Sequence, residues 1–288
     1  MRGLRTRQTV RLWFLASTVV LLRGGVPAYA GWEIGLDGVA DSNVTRAVHD
    51  ETADSFLHGA LSYSREVSGD RRLDWTAAAT VDGALYGKVT ELDYVAVTVA
   101  PGITYVPRAG WTLAVSTFLQ GKSARDGDQS ALAWGARCHL EQRLGSSSYL
   151  TEHYAFTDSK AREDVFSYRE HALGALIGHS WTPALSTELA YQYAHGDSFR
   201  TLTSSGSGSV SAAQRGTAGT NGGGRHGIHD LGGEVIKETV NTHEVSVTLG
   251  YSWAQALMTY LGGTVSVSKG SAGTSRSQIG CLGVAYRF

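Results

Sequence analysis

Histidine, serine and carboxylate residues are plentiful in this chain, so the first question is whether any are spaced to do chemistry. His226, His229 and Asp230 offer three ligand-type side chains close together. A structural zinc site takes four ligands, and no cysteine or second histidine pair stands at metal spacing. The better reading is a solvated loop. A hydrolase needs a nucleophile, a base and an orienting group brought together. His139, His153, His171 and His179 are available, yet no G-x-S-x-G elbow is present. No cofactor motif is found. More informative are Asp74, Asp82, Arg137, His139, His153, Glu188, Glu244 and Arg287, each set on the polar side of an alternating segment. Their chemistry is not bond making. Arginines there would attract anions and carboxylates would attract cations, with paired charges filling a narrow interior as the competing outcome.

Such residues need elements that turn them all toward one space. Alternation with a period of two supplies these. Trp75, Ala77, Ala79, Val81 and Leu85 alternate with Asp74, Thr76, Thr80 and Asp82. Trp111, Leu113, Val115 and Leu119 alternate with Thr112, Ser116 and Gln120. Val245, Val247, Leu249, Tyr251 and Trp253 alternate with Glu244, Ser246, Thr248 and Ser252. A soluble sandwich alternates too, with its apolar face inward. Here the polar faces carry Gly, Ala, Ser and Thr rather than Lys and Glu, as a crowded lumen requires. Trp32, Trp75, Tyr94, Tyr105, Trp111, Tyr193, Trp253 and Tyr286 fall near strand ends, as in aromatic girdles. The pattern predicts a transmembrane antiparallel up-and-down β-barrel of about 12 strands, between roughly 10 and 14.

Residues 1–30 read as a cleavable signal peptide. Arg2, Arg5, Arg7 and Arg11 precede an apolar run over 12–22, and Ala28-Tyr29-Ala30 is a small-residue cleavage site. The run is shorter than the roughly 20 residues of a spanning helix. Removing the leader leaves 20 basic and 26 acidic residues, a net of −6. That balance gives no electrostatic case for nucleic acid. Residues 31–288 form the barrel domain. Short turns are expected at 68–70, 107–110, 145–147, 182–184 and 254–256. Longer outer loops are expected near 41–54, 121–129, 158–166 and 268–275, with a short one near 87–91 and the longest, Gly/Ser-rich, near 196–239. The tripeptide Asn43-Val44-Thr45 reads as a strand-to-loop turn. Glu152 would share the lipid side with Leu150, Tyr154 and Phe156, which is costly at mid-bilayer. Cys138 and Cys281 have opposite parities, so a disulfide between them is not expected.

Leu282, Val284, Tyr286 and Phe288 alternate to the last residue. A terminal Phe with Tyr two positions before it resembles the β-signal of bacterial outer-membrane proteins. The resemblance implies insertion by barrel-assembly machinery and an outer membrane with its lipid and lipopolysaccharide as surroundings. Asp41-Ser42-Asn43-Val44 and Arg46-Ala47, after the first alternating strand, resemble the start of the barrel in surface-lipoprotein assembly modifiers. Those proteins also carry a helical-repeat domain, for which this chain has no room, so only a barrel type is implied. The expected function is a passive or weakly selective porin-like channel for small solutes, with the long loop as lid or constriction. The competing expectations are a closed-lumen structural or surface-interaction barrel, and a lipid-modifying barrel enzyme in which a Ser–His pair sits on adjacent lipid-facing strand ends.

Overall fold

Period-two sequence becomes sheet because successive side chains of an extended chain point to opposite faces. A sheet in lipid must also close, since an open edge would leave backbone groups without partners. The computed structural model describes residues 31–44, 46–49, 51–65, 72–203 and 233–288. Among these residues, twelve antiparallel strands close one barrel. They are β1 (Gly31–Asp41), β2 (Asp54–Arg65), β3 (Leu73–Tyr86), β4 (Tyr94–Tyr105), β5 (Trp111–Ala124), β6 (Ala131–Arg143), β7 (Ser148–Ala161), β8 (Tyr168–Ser180), β9 (Leu185–Thr203), β10 (Gly233–Ser252), β11 (Leu257–Gly270) and β12 (Gly273–Arg287). Every strand pairs with its neighbour in sequence, and β12 pairs with β1 to close the seam.

The outer face is apolar. Leu36, Leu57, Val81, Leu85, Val97, Leu119, Leu132, Leu173, Leu189, Val247, Leu261 and Leu282 are all exposed, Leu85 by 65 %. A continuous belt of this kind would be an aggregation surface in water and is the proper surface against lipid. A strand of 14 residues such as β3, tilted by roughly 40°, rises about 36 Å. That exceeds the apolar band of about 25 Å, so strands project past it at one end. The end that carries the start of β1, the end of β12 and the short turns is called here the turn end, and the other the loop end.

The expected turns at 107–110, 145–147, 182–184 and 254–256 fall between strands as read; 68–70 lies outside the described residues, as do the leader, 1–30, and the His226, His229, Asp230 group. Two loop expectations are corrected. The span 196–239 is strand at both its ends: β9 continues to Thr203 and β10 begins at Gly233, paired from Gly196 opposite Val240 to Thr203 opposite Gly233, while 204–232 lies outside the described residues. Loop-like composition did not prevent pairing, because the buried Arg200 and Glu238 bind each other across it with Nε–Oε1 at 3.0 Å. The expected loop 268–275 is a two-residue turn, Ser271-Ala272, closed by Gly270 opposite Gly273. Likewise β5 and β7 run on to Ala124 and Ala161, shortening the loops read at 121–129 and 158–166.

The register of β7 stands as read. Glu152 is exposed on the outer face, but near the turn end, where Gln142 Nε2 donates to its Oε2 at 3.3 Å. Cys138 lies on the lipid side of β6 and Cys281 on the lumen side of β12, and both are free thiols.

Candidate functional site in the barrel lumen

The inner wall repeats one local device. Large lumen-facing side chains stand directly opposite glycines on the adjacent strand: Phe118 opposite Gly135, Tyr149 opposite Gly178, His153 opposite Gly174, Tyr260 opposite Gly283, and Cys281 opposite Gly262. A Cβ on each glycine would meet its partner's side chain at 2.2 to 2.6 Å. The rings therefore lie flat against the wall in the space where a neighbouring side chain would stand. Gly262 and Gly283 leave room indirectly, by taking in the Cys281 thiol and the Tyr260 ring. Eight-stranded barrels fill with side chains and barrels of about 16–18 strands leave a channel, so at twelve the posture of the side chains bears on the space that remains.

All eight polar residues singled out in the sequence face the lumen, in three groups. Asp82 lies near His58, whose Nδ1 is 3.0 Å from Asp37 Oδ2 and whose Nε2 is 3.8 Å from Asp82 Oδ2. His139 and His153 face each other across β6 and β7. His153 Nε2 lies 3.1 Å from Gln192 Oε1, Glu188 accepts from the Tyr149 hydroxyl, and Arg137 lies over the Phe118 ring at 4.5 Å. Nearer the ends, Arg287 pairs with Glu33 at 3.4 Å, Asp74 lies 3.9 Å from Arg65, and Glu244 accepts from Ser266 Oγ at 3.0 Å. Some of these charges thus neutralise one another locally, and others line a shared aqueous face.

The bore is not uniform. Toward the turn end its lining residues are partly exposed; toward the loop end they are buried almost all round. Two loops account for part of this. The segment between β1 and β2 folds inward, with Asn43, Val44, Arg46 and Ala47 all buried. Asn43 organises it. Its Nδ2 donates to the Ala47 and Arg276 carbonyls at 3.1 and 2.8 Å, and its Oδ1 accepts from the Ala47 amide at 3.1 Å. This makes the expected turn at Asn43-Val44; Thr45 lies outside the described residues. Arg46 adopts φ 49°, rare for a residue with a Cβ. That posture sends its Nη1 to Ser266 Oγ at 3.3 Å, and Ser266 in turn donates to Glu244. Close by, Ser277 Oγ donates to Asp41. Arg46, Glu244 and Asp41 therefore place charges of both signs around one level of the lumen.

The second loop joins β3 to β4. Asp54 holds it: its carboxylate accepts from the amides of Ser55, Lys88 and Val89 at 2.8 to 3.1 Å. Val89 and Leu92 then pack on Val39, Val44, Phe56, Tyr86 and Ile279, an apolar cluster inside the barrel mouth. Opposite it runs a row of small residues in register across β7 to β12: Ala155, Ala172, Ala194, Thr242, Ser268 and Ser275. The apolar cluster fills one side of the mouth, and the small-residue row lines the other.

Asp37, His58, Arg46 and the loop cluster were not singled out in the sequence. His58 and Asp37 carry a parity signal that could have found them; the inward loops carry none. On the lipid side at the turn end, Ser148 Oγ lies 2.8 Å from His179 Nδ1. The remaining ring contact of His179 is Trp181, at 4.5 Å between centroids, and no carboxylate orients the imidazole among the described residues. The pair stands on adjacent lipid-facing strand ends but lacks the third group of a triad.

No family model matches the chain, and no curated protein matches it. Among solved structures, an outer-membrane channel from Pseudomonas putida F1 is similar at TM-score 0.59 and 11 % identity, over 92 % of this chain and 97 % of that one. The KdgM porin in complex with disordered oligogalacturonate is similar at TM-score 0.51 and 10 % identity, over 89 % of this chain and 99 % of that one. At such identities the likeness is one of fold.

Proposed function

We propose that this protein is a passive, weakly selective channel for small solutes in the outer membrane of a Gram-negative bacterium. The observation that carries the reading is the posture of the lumen side chains. Rings laid over cross-strand glycines spare the axis, and polar residues of both signs line what remains. The similar folds are those of an outer-membrane channel and a porin, which supports the reading at the level of architecture. In it, the segment between β1 and β2 is the constriction, and Arg46 is its positive charge. Leu282, Val284 and Tyr286 face lipid on the strand that closes the seam, beside Phe288, which suits a segment read by the barrel-assembly machinery. Cleavage after Ala30 completes this reading.

The apolar cluster at the mouth favours a second reading, a closed-lumen barrel that meets a partner through its loops. Planar-bilayer recording of the refolded mature protein separates the two. Steady conductance is expected, and Arg46→Ser should raise it and shift the reversal potential toward cations, as Glu244 and Asp41 lose their counter-charge. Silence in both proteins, with a folded heat-modifiable barrel, would remove the channel reading.

A further inference from the structure

Over β9 to β12 the loop end of the outer wall differs from the turn end. The turn end carries the indoles of Trp32, Trp75, Trp111, Trp181 and Trp253, the usual interfacial side chains. The loop end of β9 to β12 carries instead phenols, imidazoles and two cations. Register places His195 beside Asn241 and Asn241 beside Lys269; one step toward the belt, Tyr193 lies beside His243, His243 beside Val267, and Val267 beside Arg276. The polar groups are organised: Tyr193 OH donates to Asn241 Oδ1 at 2.7 Å, His195 Nδ1 donates to the same oxygen at 2.9 Å, and Tyr191 OH lies 2.9 Å from His243 Nδ1.

Lys269 and Arg276 are exposed, and their side chains make no hydrogen bond or ion pair with any described residue. The contrast is with the neighbouring part of the same wall. There each cation has a carboxylate within reach: Asp158 binds Arg169 at 2.7 Å and lies 3.8 Å from Lys160. On the outer face of β9, Asp197 sits farther from the belt than His195 and accepts from Thr239 at 3.2 Å. Beside the pad, from β11 and β12 across to β1, β2 and β3, the wall is hollowed. A groove of about 670 Å³ is lined by Ala40, Leu57, Leu85, Leu261, Gly280 and Leu282, among others. Gly280 follows Arg276 by four residues on β12, about 13 Å along the strand.

Uncompensated cations at a headgroup level, hydroxyls and imidazoles around them, and an apolar groove alongside are complementary to a phosphorylated, acylated sugar. We propose that the loop-end outer wall of β9–β12 docks lipid A. Lys269 and Arg276 receive its phosphate, Tyr193, His195 and His243 line its sugar, and one acyl chain lies in the groove beside Gly280. This rests on the outer-membrane placement proposed above but not on conduction.

The test is native mass spectrometry of the detergent-solubilised mature protein, titrated with bisphosphorylated lipid A, dephosphorylated lipid A or phosphatidylglycerol. Tightest binding of the bisphosphorylated form is expected, with affinity falling about tenfold in the Lys269→Gln/Arg276→Gln double variant. Arg108→Gln, a turn-end change beside Trp111, should leave it intact. Both sites are exposed, so heat-modifiability reports whether each variant folds; if the double variant does not, the lipid comparison on the unaltered protein decides. Equal binding of all three lipids, or unchanged affinity in a folded double variant, would overturn the proposal. Conductance measured on the same samples keeps the readings apart. A barrel that binds lipid A yet never conducts would defeat only the channel, and one that conducts without lipid preference would defeat only this site.

Discussion

At the scale of single residues, the lumen is governed by what lies opposite each ring. Tyr149 rests on Gly178 with its hydroxyl donating to Glu188. A Cβ at Gly178 would stand 2.2 Å from the Tyr149 ring. Valine there cannot coexist with the flat ring, so Gly178→Val should turn the phenol into the bore and strip Glu188 of its donor. Single-channel recording should show a clear fall in unit conductance with the barrel still heat-modifiable; an unchanged conductance would refute the idea that ring posture sets the opening. The polar lining itself was readable from parity: Asp74 falls between Leu73 and Trp75, and Asp82 and Glu188 keep step with the alternation of Val81 and Leu189 beside them. The ring–glycine pairs were not. They are separated by a hairpin, and only its register tells which glycine meets which ring.

At the scale of elements, strands were the legible part. Alternation and the turn residues placed β3, β5, β10 and β11 because both reflect short-range backbone chemistry. The loop end was misread where composition suggested a loop but side chains hold strand. Arg200 shows why: it is almost wholly buried, pairs with Glu238, and donates to the Gly273 carbonyl at 2.9 Å. Removing one member of a buried pair strands the other, at roughly 3–5 kcal/mol. Arg200→Ala should therefore unpair the loop-end halves of β9 and β10. Hydrogen exchange at residues 235–240 should accelerate strongly while amides at 244–250 stay protected. Equal protection in both segments would mean that the backbone ladder alone holds the extension. The inward fold of the β1–β2 segment was equally illegible, since Asn43 and Arg46 act through contacts with β11 and β12, more than 200 residues on.

At the scale of the whole molecule, stability depends on closure. The seam is β12 on β1, paired from Glu33 opposite Arg287 to Asp41 opposite Ile279, and extended by Phe288 N–H donating to the Trp32 carbonyl at 2.9 Å. Tyr286 sits in this seam on the lipid side, stacked edge-on against Phe288 at 5.0 Å. Tyr286→Asp places a charge in the apolar belt near the interface, at a cost of about 1 kcal/mol or more that rises with depth. Refolding into vesicles should slow and its yield drop, while Tyr286→Phe should refold as the parent does. Identical yields for all three would show that closure tolerates a charged seam.

The glycines beneath the lumen rings carry a consequence for how such proteins diverge. Strand number changes only by adding or losing whole hairpins, a coarse step. Under the channel reading, the calibre beyond the β1–β2 constriction is tuned where rings lie over glycines, and the rings of Phe118, Tyr149 and His153 are each alterable by one codon away from the belt and the seam. Descendants of one such gene can therefore differ in the size of molecule they admit while remaining superimposable in backbone.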